Sequence, residues 1–337
     1  MKWIKIIGKV IAGALILLLM IFLFGPRPDF PSYTGRIGPI SWPLEALDSI
    51  IQAREAAVPG LKPDNQARII WADSARRTPY SVVYLHGFSA SPMEGNPVHL
   101  EFAARYGCNL YLARLPQHGI NDPESFKNVT PKDWVEAAKE ALAIGQQLGE
   151  KVILMSCSTG STLSIYLAAE NPDAVEAQIM YSPNIAIADP AAGVLTYPWG
   201  LQAARLLVGE YRTIPSFMGW EAEQYWTVKY RTEGLVALQA LLEETMRKEE
   251  FEKVKQPFFL GYYFKNEKQK DEVVSIEAMH RFFEQASTPP RSKQMIAFPD
   301  VDTHVIPSRL FSKGLEEVQA ATYRFAEEVL GLRVRVE

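Results

Sequence analysis

Cysteine is nearly absent. The chain of 337 residues has two, Cys108 and Cys157, distant in sequence and outside any C-x-x-C pattern, which argues against a disulfide framework and against a structural zinc. Histidine is scarce as well, with five residues and no His/Cys cluster, so no metal or other cofactor is expected. An excess of one charge sign is also missing. The net charge of -4 gives no electrostatic case for nucleic acid. Internal repeats and low-complexity tracts are absent too, and 47% hydrophobic residues suit an ordinary globular core.

Long apolar runs are lacking with one exception, Val10 to Phe24. Lys2, Lys5 and Lys9 precede it, and counting back to Ile4 with Lys9 snorkelling gives about 20 residues, enough to cross a bilayer. A cleaved signal peptide wants small residues before the cut. Here Ile21-Phe22-Leu23-Phe24 runs straight into Gly25-Pro26-Arg27-Pro28, so residues 1–24 read as an uncleaved signal anchor, a single transmembrane helix. Three lysines before the run and one arginine just after place the N-terminus in the cytoplasm. The bulk then lies on the non-cytoplasmic side, the periplasm in a bacterium. The Pro/Gly-rich residues 25–41 read as a stalk, and residues 42–337 as one domain.

Within that domain, residues 42–60 suit an amphipathic helix. Residues 67–72 and 80–85 read as a hairpin-like pair of strands. Further strands are expected at 109–115, 152–155, 177–181, 257–263 and 293–298, with helices between them and a last helix over 307–330. Thr130 as N-cap and Pro131 behind it start the helix that ends near Leu148. Regular alternation predicts an α/β fold, a doubly wound and mostly parallel sheet, with ligands beyond the carboxyl ends of the strands. Alternation fails only at about 185–255, a stretch rich in aromatics (Tyr197, Trp199, Tyr211, Phe217, Trp220, Tyr225, Trp226, Tyr230). So long a connection needs structure of its own, and it reads as an inserted helical cap.

The chemistry centres on Lys151 to Ala169. An apolar strand, the small residues Ser156-Cys157-Ser158-Thr159-Gly160-Ser161 and a helical run follow one another. This is the setting of a nucleophile elbow, with serine at the first glycine of G-x-S-x-G. Serine chemistry needs a base, and the expected order is serine, acid, histidine. After Ser158 only His280 and His304 remain. His280 lies in a helical run, while His304 follows the last strand, where a base belongs. The acid should follow the strand at 258–263. Asp271, Glu267 and Glu272 compete there; Asp271 is preferred because it leads directly into a helix, and Glu267 stands second.

Taken together, His86-Gly87-Phe88 after a strand, Leu115-Pro116-Gln117-His118-Gly119, the S-x-S-x-G turn, Asp271-x-Val-Val and a late histidine resemble the α/β-hydrolase fold, specifically its monoacylglycerol lipase and carboxylesterase-like branch. The resemblance spans about Val82 to Leu330. It implies an oxyanion hole from the amides of Phe88 and Thr159, and a cap in the place of the inserted stretch. It also implies that His86 and His118 shape the site without acting as base. The chain departs from the family pattern at Ser156 for glycine, at Gln117, and in the longer stretch before Asp271. The expected function is hydrolysis of carboxylic esters, lipid-like or small, through Ser158, His304 and Asp271, by a protein held to a membrane by its first helix. Two alternatives are a non-catalytic member of the fold that binds a hydrophobic ligand, and an acyltransferase using the same acyl-enzyme.

Overall fold

A computed structural model describes residues 2–40, 42–213 and 219–335. The chain opens with α1 (Lys2–Leu23), followed by α2 (Leu47–Ala56), β1 (Arg68–Ile70), β2 (Thr78–Leu85), α3 (Val98–Tyr106) and β3 (Asn109–Leu112). Next come α4 (Pro131–Leu148), β4 (Gly149–Cys157), α5 (Thr159–Glu170) and β5 (Ala177–Tyr181). The aromatic stretch holds α6 (Gly200–Val208), β6 (Tyr211–Thr213), α7 (Gly219–Tyr225), β7 (Lys229–Arg231), α8 (Glu233–Thr245) and α9 (Lys248–Phe251). The chain closes with β8 (Phe258–Asn266), β9 (Gln269–Lys270), α10 (Ile276–Gln285), β10 (Lys293–Phe298) and α11 (Leu315–Glu328).

The main sheet runs β1-β3-β2-β4-β5-β8-β10. Every neighbouring pair along it is parallel except β1 with β3. Strand order reverses at β2, with β3 on one side and β4 on the other, so the crevice of a doubly wound sheet opens beyond β2 and β4. Side chains alternate between the faces, as strand geometry requires. Val83, Leu85 and Leu154 face a core shared with α2, α4, α5 and α8. Val82, Tyr84, Ile153 and Met155 face one built with α3 and α11. The α/β fold class read from the alternation is therefore the one observed.

Several boundaries differ from the expectation. The strands at 67–72 and 80–85 do not form a hairpin. β1 pairs with β3, which lies between them, Ile69 opposite Tyr111, because the intervening residues 71–77 make no tight turn to force neighbours together. The last helix starts at Leu315, since Gly314 occupies its N-cap and Ser308 is bridged to Pro97. Residues 26–40 contain no helix or strand, yet Phe30, Tyr33, Ile37 and Ile40 pack against the first core, so this segment lies along the domain. Within the aromatic stretch, Ala237, Leu238 and Leu241 of α8 are buried in that same core, which makes α8 part of the layer covering the sheet. Trp226 and Tyr230 are buried while Tyr197, Trp199 and Trp220 are exposed; Phe217 lies outside the described residues. From Trp3 to Leu23 the first helix is long and apolar enough to cross a membrane, and none of it is buried.

Candidate active site

Ser158 stands between the end of β4 and the start of α5 with φ +50° and ψ -119°, a conformation that an L-residue occupies only under constraint. Three contacts impose it. The Ser158 N–H donates to the Tyr181 carbonyl (3.0 Å), and its own carbonyl accepts from the N–H of Asn184 (3.1 Å) and of Ser161 (2.9 Å). Gly160 must be glycine, because a Cβ there would stand 1.9 Å from the Leu85 carbonyl oxygen. Ser156, at the other small position, is fully buried with its hydroxyl 3.0 Å from that of Ser161. The departure from glycine is thus absorbed by a hydroxyl pair.

Leu85 pairs with Ser156 across β2 and β4, so the loop after β2 comes to lie beside the elbow. A Cβ placed on Gly87 would be 3.0 Å from the Ser158 Cβ. Phe88 follows Gly87, and Thr159 opens α5 at the positive end of its dipole. Neither amide N–H has an acceptor among the described residues. His86 and His118 hold this loop. The Leu115 N–H donates to His86 Nε2 (3.0 Å), which leaves Nδ1–H to donate to the Gly87 carbonyl (2.9 Å). Burial pulls His86 down to about 4 and His118 well below its ordinary value, so both stay neutral. Tyr230 of β7 packs on the Phe88 ring at 5.3 Å, and the Thr227 N–H donates to the Ser89 carbonyl (2.6 Å). These contacts tie the inserted stretch to the same loop.

Asp271 and His304 come together beyond β8 and β10, with Nδ1 2.7 Å from Oδ2. The six residues that separate Asp271 from Phe264 fold back as a hairpin in which β9 pairs with β8, and the Asp271 N–H donates to the Tyr263 carbonyl (3.1 Å). Oδ1 accepts from the N–H groups of Val273 (2.9 Å) and Val274 (3.2 Å). Burial pushes the Asp271 carboxyl up, but His304 and these N–H groups hold it below its ordinary value overall. His304 is raised overall: burial opposes its charge, and Asp271 and then Glu94 favour it. Glu267 is exposed at the hairpin tip and pairs with Lys270 at 2.7 Å. His280 is exposed and lies 3.3 Å from the Tyr262 hydroxyl. Among the described residues Ser158 Oγ makes no hydrogen bond, as is common for such hydroxyls before substrate binds. A cavity of about 350 Å³ borders Asp271 and His304, while a cleft of about 830 Å³ along α2 and α4 touches none of the site residues.

One buried residue was missed in the sequence. Glu94 sits 2% exposed behind Gly87, and the only signal for it was an acidic residue inside an otherwise small and apolar loop.

A sequence model described as the alpha/beta hydrolase family matches residues 82–317. The thermostable monoacylglycerol lipase of Bacillus sp. (strain H-257) is 32% identical over 99 residues, a stretch that covers 29% of this chain and 39% of that relative's length. Among solved structures, one reported for the metagenome-derived lipolytic enzymes LipS and LipT superposes with a TM-score of 0.64 at 15% identity, covering 80% of this chain and 99% of that one. The monoacylglycerol lipase of Paleococcus ferrophilus gives 0.56 at 18% identity, over 79% and 98%. A soluble variant of the monoglyceride lipase of Saccharomyces cerevisiae gives 0.57 at 10%, over 81% and 92%.

Proposed function

The chain belongs to the alpha/beta hydrolase family, and on that premise we propose that it hydrolyses carboxylic esters through Ser158, His304 and Asp271. The observation that carries this reading is the 2.7 Å contact between Asp271 Oδ2 and His304 Nδ1, beyond the carboxyl ends of the strands, where the strained turn also holds the largely buried Ser158. With Nδ1 engaged, Nε2 is the nitrogen free to take a proton. Ser158 Oγ attacks the ester carbonyl as Nε2 removes its proton. The carbonyl oxygen becomes an oxyanion facing the Phe88 and Thr159 amides. Collapse expels the alcohol, which takes the proton back from Nε2 and leaves an acyl group on Ser158. Water then attacks that ester with the same base, releasing the acid and restoring the serine. Asp271 holds the ring and offsets the imidazolium charge.

The substrate class we propose is a lipid-like or small acyl ester, since the relatives include monoacylglycerol lipases. The first helix would hold the protein to a membrane, with the domain on the non-cytoplasmic side. The division into residues 1–24, 25–41 and 42–337 belongs to this reading, with the inserted stretch at about 185–255 as cap apart from α8, which lies in the layer covering the sheet. A fluorophosphonate probe tests the nucleophile, and a series of p-nitrophenyl and monoacylglycerol esters tests the substrate. Ser158→Ala should abolish labelling and lower turnover by about 10⁴-fold or more with an unchanged melting temperature. Undiminished turnover in that variant would remove Ser158 from the chemistry.

A further inference from the structure

Glu94 lies in a short helical turn, residues 92–95, directly after the loop that carries Phe88. Its Oε2 accepts from the Gly87 N–H (2.7 Å) and from the Tyr84 hydroxyl (3.1 Å). Its Oε1 would stand 2.7 Å from a Cβ on Gly87, the same point that lies 3.0 Å from the Ser158 Cβ. The carboxyl and the serine therefore flank one glycine from two sides. The groups facing the carboxyl are Tyr84 from β2, Cys157 from β4 and, at longer range, His304 from the loop after β10. Gly95 leaves room for the Tyr84 ring, which a Cβ there would meet at 2.4 Å.

We propose that Glu94 is a positioning residue that grips the Gly87 N–H and thereby holds the Phe88 amide against Ser158. The proposal rests on the reading of Ser158, His304 and the two amides given above. Without an acceptor, the Gly87 N–H and the Tyr84 hydroxyl would be buried unpaired, and the loop would turn to satisfy them. An oxyanion donor displaced by a fraction of an ångström stabilises the transition state less, while ester binding is untouched. The carboxyl also titrates. Burial pushes it up to about 7, against the Gly87 N–H and the His304 charge that favour ionisation. Once ionised it supports the imidazolium form of His304.

Two variants test this. Glu94→Met removes the acceptor at similar length, and kcat should fall about 10- to 100-fold with KM unchanged. Fluorophosphonate labelling should slow in parallel. Glu94→Gln keeps an acceptor for the Gly87 N–H and should restore most of that turnover. Because it lacks the charge, the acid limb of its kcat/KM profile should move down by about half a pH unit or more. Wild-type kcat in Glu94→Met, or an unmoved acid limb in Glu94→Gln, would overturn the proposal. If Glu94→Met does not fold, the pH profile of Glu94→Gln decides alone. Ser158→Ala separates the two failures: labelling that persists there overturns the site itself, whereas labelling lost there and unchanged in Glu94→Met overturns only the part given to Glu94.

Discussion

Asp271 reaches His304 only because the chain doubles back after β8. The distance along the chain from the sheet leaves a short side chain out of range unless it is pinned, and pairing by β9 together with the buried Val274 does the pinning. Asp271→Asn should therefore lower turnover by about 10⁴-fold, because the amide favours the wrong tautomer and offers no charge to the imidazolium. Glu267→Gln, at an exposed residue paired with Lys270, should change kcat/KM by less than about twofold. Comparable losses in both would mean that the hairpin's conformation had been disturbed. Titration gives a second reading of the same pair. The lowered Asp271 contributes stability that is full above its unfolded value of about 4 and lost as pH falls through the folded value. The raised His304 contributes stability that is full below about 6.5 and lost as pH rises through its folded value. Turnover needs the neutral imidazole and so begins where that stability ends. Melting temperature should fall from pH 6.5 towards pH 8.5 while kcat/KM rises, and Asp271→Asn should flatten the melting curve over that interval. The order of Ser158 and His304 could be read along the chain, and Asp271 was preferred to Glu267 because it leads into a helix, not because of its distance from the strand. Glu94 could not be read, because its burial arises where the turn at 92–95 packs on β2 and β4, and no local pattern records it. Of the Val273-Val274 pair, only Val274 is buried, a distinction that two identical residues cannot announce.

At the scale of elements, the elbow depends on the close approach of α5 to β2. Gly160→Ala would drive a methyl against the Leu85 carbonyl, a backbone atom that has nowhere to yield. Destabilisation on the order of 3 kcal/mol or more is expected, visible as a large drop in melting temperature or as insoluble protein. Ser156→Gly should cost only about 1 kcal/mol, the value of the hydroxyl pair with Ser161. Equal effects from the two substitutions would show that the elbow tolerates a side chain at both positions. The contrast also explains which elements could be read from sequence. β4, β5, β10 and α4 are marked by continuous apolar runs or by a cap, Thr130 accepting from the Asp133 N–H at 3.3 Å. β1 is three residues long and finds its partner some 40 residues later in β3, information that lies in the packing of the edge. Likewise α8 lies in the same helical stretch as α6 and α7, and its contact with α4 and α5 assigns it to the sheet's helical layer.

For the whole molecule, the question is how the first helix relates to the domain behind it. The connecting residues are dense in proline and glycine, which on composition alone suits a free spacer. The fold uses them differently. The Gly35 N–H donates to the Tyr166 hydroxyl (3.1 Å), the Ile37 N–H donates to Asn171 Oδ1 (2.9 Å), and Asn171 Nδ2 returns a bond to the Gly35 carbonyl (2.8 Å). Proline and glycine here make a strap that carries Phe30, Tyr33, Ile37 and Ile40 along the surface of the first core. Trp199 reaches the end of the first helix, its indole N–H donating to the Ile21 carbonyl (2.9 Å). Partial burial of four apolar side chains is worth on the order of several kcal/mol, which for a domain of this size corresponds to a shift of about 10 °C. A chain beginning at Pro26 keeps the strap and loses only the apolar helix. It should be recovered without detergent, with wild-type kcat/KM on a short ester and a melting temperature within about 2 °C of the full chain. A chain beginning at Pro43 loses the strap and should melt about 10 °C lower. Equal melting temperatures for the two would make residues 26–40 a spacer after all. If the chain from Pro26 aggregates while the full chain in detergent does not, the exposed Leu206, Leu207 and Trp220 are the surface to change next, since a bilayer that covers the first helix would then be covering them as well.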